Sequence, residues 1–319
     1  GDETFHVHEL GPPGLAGKGA PGHGSAMIDK LEMFIALARE RHFGRAAESL
    51  GITQPSLSGA IKQLEDHLGV QLVFRGSRFQ GLTPEGQRVL DWARRIVGDA
   101  RTMREEMRTL RSGVSGNLRL GVIPTALPMV ARLSVPFLAR NPNTRLTILS
   151  HTSAEILQGI ESLTLDAGIT YLDNEPLGRV AQVPLYREGY RLMVAATSPL
   201  ARRKTVTWAE AAGEPLCLLT VDMQNRRIIN QHLAEARVSA NPRVESNSSV
   251  ALVAHVSTGQ WASIVPDVLA TQLSVPGIAA IPLVEPNAHH LVGLIAAHRE
   301  PYTPVLAALL DEAMRIAEV

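Results

Sequence analysis

The chain has 319 residues, 45% of them hydrophobic and 19% charged, with Lys plus Arg and Asp plus Glu balanced at 31 each. That is enough apolar content for full cores in about two or three domains, and the neutral balance argues against a nucleic-acid binder held by bulk charge alone. The single cysteine, Cys217, excludes an intramolecular disulfide and fits a reducing cytoplasm; set in the apolar run P-L-C-L-L, it reads as a core thiol rather than a nucleophile. No uninterrupted apolar run reaches the length of a membrane span, and no signal peptide is expected.

Residues 1–26 are rich in Gly and Pro, lack hydrophobic periodicity and precede the first methionine, Met27, so they read as a disordered leader or an expression remnant. His6, His8 and His23 in this tail have no fixed geometry, and neither a metal site nor a cofactor is expected. A first helix follows, with Leu31, Phe34, Ile35 and Ala38 on one face. A short helix from Gly44 ends at Gly51, and the paired alanines Ala46 and Ala47 allow close packing. The next helix, Thr53–Leu68, starts on a Thr53 cap with Pro55 in its first turn. Leu57, Ile61, Leu64 and Leu68 form its apolar stripe, while Gln54, Ser58, Lys62 and Glu65 fall on another face. That is helix-turn-helix spacing, and a glutamine at such an N-terminus pairs with adenine through two hydrogen bonds. Taken alone, the helix also fits an ordinary amphipathic surface helix. The glycine-punctuated stretch after it, with Arg75 and Arg78, reads as a hairpin wing reaching phosphates, which completes a DNA-binding domain over residues 27–83.

Thr83-Pro84-Glu85 starts a long helix over residues 84–112. Leu90, Ala93, Val97, Ala100, Met103, Met107 and Leu110 lie close to heptad spacing, which predicts pairing with the same helix of a second subunit; packing against its own domain is the alternative. Residues 113–116 read as a hinge. From 117 to 319 strand and helix signals alternate as in a doubly wound α/β fold, with one lobe over about 117–186 and 286–319 and another over 187–285. Ligands in such folds bind beyond the carboxyl ends of strands. Thr125, Thr152 and Ser153 stand where strands give way to helices, and Thr220, Asn247 and Ser248 would face them from the second lobe. Hydroxyls beside helix N-termini favour a small anion, although Ser, Thr and Asn there are also ordinary caps.

The run L-E-M-F-I-A-L-A-R-E-R-H-F-G-R-A-A-E-S-L-G-I-T-Q-P-S-L-S-G-A-I-K-Q-L-E-D-H-L-G-V-Q-L, with R-G-S-R and L-T-P-E-G after it, resembles the winged helix-turn-helix and linker helix of bacterial LysR-type transcriptional regulators. The resemblance implies an α+β multidomain fold: a winged helix-turn-helix, a linker helix, and a two-lobed α/β effector domain like the periplasmic binding proteins. It implies that Gln54, Pro55, Ser56 and Ser58 meet bases, that Lys62, Arg75 and Arg78 meet phosphates or the minor groove, and that Thr125 and Thr152 line an effector cleft. The implied partners are operator DNA, a small-molecule effector, further copies of the chain as dimer and tetramer, and RNA polymerase. Gly59, where the family often carries a basic residue, and Val73, where a larger apolar residue is common, depart from the pattern. I-T-Y-L-D-N-E-P-L-G-R-V together with V-E-S-N-S-S is similar to LysR-type regulators beside formate dehydrogenase genes, which points to formate or a related carboxylate. A solute-binding protein explains only the second half, and an α/β enzyme fused to a DNA-binding domain lacks the motifs G-x-S-x-G, G-x-x-x-x-G-K-[ST] and H-E-x-x-H.

Overall fold

A computed structural model describes residues 23–74, 79–273 and 275–317. They fall into two units that divide between Val97 and Gly98. In the first, α1 (His23–Glu40) starts ahead of Met27, so the end of the expected leader is helical; residues 1–22, with His6 and His8, lie outside the described residues. Leu31, Phe34 and Ile35 are buried on the predicted face of α1. The imidazole Nδ1 of His42 accepts from the Gly44 and Arg45 amides to cap α2 (Phe43–Ser49), whose Ala46 and Ala47 are buried where α1, α2 and α3 pack together.

Gly51 turns the chain at φ +66° into α3 (Gln54–Leu68), which is capped by Thr53 Oγ1 at the Ser56 amide and closed by Gly69 at φ +69°. Leu57, Ile61 and Leu64 are buried as their spacing predicts, but Leu68, in the last turn beside the Gly69 cap, is 41% exposed. Val73 and Leu82 then pair antiparallel at the base of the expected wing. α4 (Pro84–Ser112) begins on the Thr83 cap, and Gly86 lies so close to the hairpin that a Cβ there would stand 2.0 Å from the Leu72 carbonyl oxygen.

The hinge is shorter than expected. β1 (Ser115–Val122) already pairs Ser115 with Asn143 and Gly116 with Thr144, and Arg108 Nη2 donates to the Ser115 carbonyl, which leaves Gly113 and Val114 as the connection. A 3₁₀ turn at Leu127–Met129, α5 (Val130–Arg140), β2 (Asn143–Ser150), α6 (Ser153–Glu161), β3 (Ala167–Tyr171) and β4 (Val180–Glu188) build the first lobe. The chain crosses at Gly189 into the second: β5 (Tyr190–Ala195), β6 (Val206–Thr207), α7 (Trp208–Ala212), β7 (Cys217–Leu219), α8 (Gln224–Glu235), β8 (Val244–Ser246), α9 (Ser249–Ser257), β9 (Ser263–Pro266), α10 (Asp267–Gln272) and β10 (Ile278–Val284). It returns through β11 (His290–Ala297) and α11 (Pro304–Ile316). The first lobe's sheet runs β2-β1-β3-β11-β4, the second's β6-β10-β5-β9 with β7 and β8 paired apart. One buried cluster, with Phe137, Ile156 and Tyr171 from the first lobe and Leu192, Trp208 and Ile264 from the second, runs through both.

β4 and β10 each carry a mid-strand proline, Pro184 or Pro282, so neither segment signals a strand by its residues alone. Proline cannot donate to a ladder, so it signals against a strand unless one side is free. Both sites meet that condition: β4 is an edge strand, and β10 pairs with β6 only beyond Pro282, at Leu283 and Val284.

Candidate DNA-binding face and effector cleft

α3 turns its apolar stripe inward and leaves Gln54, Pro55, Ser56, Ser58 and Lys62 exposed. The Thr53 cap fixes where this face begins, because its hydroxyl meets the Ser56 amide just before the first apolar position, Leu57. Gly59 has open space where a Cβ would stand, so its lack of a side chain removes a contact outward and costs no packing inward. Ser58, Lys62, Asp66, Gln71, Val73 and Phe74 help to line a groove of about 800 Å³ between α3 and the hairpin base. Glu65, expected on the outward face, instead accepts from the Leu72 and Val73 amides at 2.7 and 3.2 Å and ties the hairpin to α3. Of the basic residues, Arg39 is engaged by Glu40 and Ser49, and Arg45 by the Glu40 carbonyl, whereas Arg41 and Lys62 are exposed. Arg75 and Arg78 lie outside the described residues.

In the second unit each lobe gathers its own strand ends. β1 pairs in parallel with β2 and β3, which brings Thr125, Ser153 and Thr170 to one edge of the first lobe; β7 pairs in parallel with β8, which sets Thr220 beside Asn247 and Ser248. The six expected residues are used differently. Thr125 is 2% exposed and its hydroxyl bonds the Tyr171 hydroxyl. Thr152 forms both halves of a capping box with Glu155, so its hydroxyl is taken up by the helix. Ser153 Oγ and Thr220 Oγ1 are buried and have no hydrogen-bond partner. Asn247 and Ser248 are exposed, and it is Ser249, the first residue of α9, whose Oγ is buried and unpartnered. Sequence reasoning missed Ser249 and Gln224. Both are the first residues of their helices, Ser249 after Ser248 and Gln224 after Met223, and nothing local separates an inward hydroxyl or amide from a cap.

Where β4 passes into β5 lies a buried polar network. Tyr171 donates its hydroxyl proton to Glu188 Oε1 at 2.5 Å and accepts from Asn225 Nδ2 at 2.8 Å; Asn225 also donates to the Tyr190 oxygen. Burial pushes the Glu188 carboxyl up to about 8 despite the Tyr171 bond, and Asp267 and Asp173 add like charge. The Tyr171 and Tyr190 phenols are raised well above their ordinary range by the same burial and by Glu188. His290 Nε2 meets His232 Nε2 at 2.9 Å, with Asp173 and Glu235 at the outer ring nitrogens. Among the described residues no group of three His, Cys, Asp or Glu side chains is placed to hold a metal ion, and no helix is long and apolar enough to cross a membrane.

Two family models cover nearly all of the described chain. Residues 28–87 match the bacterial regulatory helix-turn-helix of the lysR family, and residues 111–317 match the LysR substrate binding domain. The chain belongs to the LysR family. It is therefore a DNA-binding transcriptional regulator with a ligand-binding domain, and it is similar to OxyR-type regulators. The DNA-binding transcriptional dual regulator OxyR of Escherichia coli K12 is 30% identical over 275 residues, which covers 84% of this chain and 88% of that one. A hydrogen peroxide-inducible genes activator of Haemophilus influenzae is 26% identical, with 91% of this chain and 98% of that one covered. Among solved structures, a full-length OxyR cysteine variant from Pseudomonas aeruginosa superposes with a TM-score of 0.69 at 26% identity, over 91% of this chain and 95% of that one. A full-length CbnR bound to its target DNA shares the fold at a TM-score of 0.58 and 24% identity, over 91% of this chain and 99% of that one.

Proposed function

We propose that this LysR-family regulator is switched by a small carboxylate, formate being the first to test, bound between the two lobes of its ligand-binding domain. The observation that carries this reading is the set of buried hydroxyls without partners, Ser153 Oγ, Thr220 Oγ1 and Ser249 Oγ, contributed by both lobes at strand ends and helix starts. An unmet buried polar group costs roughly 1–3 kcal/mol, so a compact oxygen-rich ligand gains by meeting several at once. Gln54, Pro55, Ser56 and Ser58 read bases, and Lys62, Arg75 and Arg78 hold the backbone. Pairing of α4 sets two such helices on inverted half-sites, a tetramer forms through the ligand-binding domains, and the assembly acts in the cytoplasm on operator DNA with RNA polymerase as its further partner.

The names of the relatives suggest hydrogen peroxide as a second signal. Against it, Cys217 is the only cysteine in the chain, is 0% exposed within the second lobe's core, and has its thiol pushed up by burial. One buried thiol cannot close an intramolecular disulfide, which favours a bound effector. A gel-shift on the intergenic DNA beside the native gene, with and without formate and acetate, is expected to show operator affinity changing with formate. Unchanged affinity together with no calorimetric signal for either carboxylate would sink the reading.

A further inference from the structure

Two neighbouring amides at the start of α8 reach from the second lobe to the end of β3 in the first, and they end differently. Asn225 is satisfied: its Nδ2 donates to the Tyr171 and Tyr190 hydroxyl oxygens at 2.8 and 3.3 Å. Gln224 is half satisfied. Its Oε1 accepts from Thr170 Oγ1 at 3.2 Å, but its Nε2 has no partner, although the side chain is 2% exposed and Thr170 is 0% exposed. The helix start around it is open as well. Met223 at the N-cap of α8 and Ser248 at that of α9 make no side-chain cap, so first-turn amides of both helices have no side-chain acceptor.

The nearby cations are already committed. Arg226 is held by the Leu219 carbonyl and Glu245 at 2.7 and 2.6 Å, and Arg227 takes Glu175 through two bonds at 2.6 and 2.8 Å. What remains is a neutral set of donors: the Gln224 amide with the hydroxyls of Ser153, Thr220 and Ser249. Such a set suits oxygen acceptors carrying at most one negative charge, because a second carboxylate would be desolvated with no cation to meet it.

We infer that Gln224 is an effector-binding residue and that Thr170 is its positioning residue: Nε2 donates to an oxygen of a monocarboxylate while Oε1, held by Thr170, makes the same amide part of the contact between lobes. The inference rests on the cleft proposed above. One planar group thus answers to the ligand on one side and to the opposite lobe on the other, so parting the lobes removes the bond that orients the donor. Ligand and lobe arrangement are coupled through that bond, which is what a differential affinity for one arrangement requires.

Titration calorimetry of the full chain with formate, acetate and malonate, joined to thermal unfolding without ligand, tests this. Wild type is expected to bind a monocarboxylate at least tenfold better than malonate. Gln224→Met should weaken that binding at least tenfold; Thr170→Val should weaken it by less, and Thr170→Ser should restore it. The shape-conserving double variant Thr170→Val/Gln224→Met removes the bonded pair and the unmet donor together, so its ligand-free Tm should equal or exceed that of wild type. Wild-type affinity in Gln224→Met, tighter malonate binding, or a double variant that melts several degrees lower would overturn the assignment. If wild type binds none of the probes, the carboxylate reading of the cleft fails by itself, and the Tm of the double variant decides Gln224: a value equal to or above that of wild type keeps its Nε2 as an unmet donor open to another ligand, and a lower value removes it.

Discussion

Glu188 lies at the crossing between lobes, 1% exposed, with one oxygen bonded to Tyr171 and the other unmet. Burial raises its carboxyl from the ordinary 4.5 to about 8, so between those values the folded chain keeps a proton that the unfolded chain gives up. Its contribution to stability is therefore complete below pH 4.5 and is lost as pH rises toward 8, at up to roughly 1.4 kcal/mol per pH unit. Glu188→Gln, which cannot ionise, should flatten that decline and be the more stable protein at the alkaline end; urea unfolding at both ends of the window measures it. Equal slopes for the two proteins would place the proton elsewhere. Gln54 is the corresponding residue on the DNA side. Gln54→Ala should cost roughly 1 to 3 kcal/mol at one base pair and relax preference there, whereas Lys62→Ala should weaken binding to all sequences and flatten the salt dependence. Binding assays over a set of single-base operator variants separate the two outcomes.

At the scale of elements, α4 carries two different apolar surfaces. Leu90, Ala93 and Val97 are buried within the chain itself, so the N-terminal part of the expected seam is already covered. Trp92, Ile96, Met103, Met107 and Leu110 are 62%, 43%, 58%, 53% and 79% exposed and fall at near-heptad intervals. An apolar stripe this exposed on a long helix calls for a second copy. Met107→Glu should accordingly reduce the mass seen by light scattering while leaving the melting temperature of the chain near its original value. Val97→Glu places a carboxylate at a buried position and should destabilise the fold by several kcal/mol whether or not the chain is paired. If Met107→Glu keeps the mass unchanged, the contact between copies lies off this stripe.

For the molecule as a whole, the lobes meet through polar contacts that a ligand can bias: Thr170 with Gln224, Tyr171 with Asn225, Asn174 with Gln231, and Glu175 with Arg227. A ligand moves such an equilibrium only by its difference in affinity for the two arrangements. The signal should then be independent of the thiol. Cys217→Ala is expected to retain the effector-dependent change in operator binding, and wild type treated with hydrogen peroxide is expected to show none of its own. A response to peroxide that Cys217→Ala abolishes would return the protein to thiol chemistry.

Whatever depends on neighbours along the chain was legible in the sequence: the α3 stripe at Leu57, Ile61 and Leu64, the Thr53 and Thr83 caps, the Thr152–Glu155 capping box and the βα alternation of the second unit all follow from spacings of a few residues. The long helix-turn-helix run carried the family for the same reason, since its side chains are set by a local fold. Tertiary structure alone decided which polar groups stay unmet. A threonine at a helix start reads the same whether it caps, as Thr152 does, bonds a distant tyrosine, as Thr125 does, or faces inward without a partner, as Thr220 does. It also decided that Pro184 and Pro282 sit in strands, because a free edge is a property of the sheet, and that α4 buries Val97 while exposing Met107, because one heptad pattern serves equally for a partner in the same chain or in another.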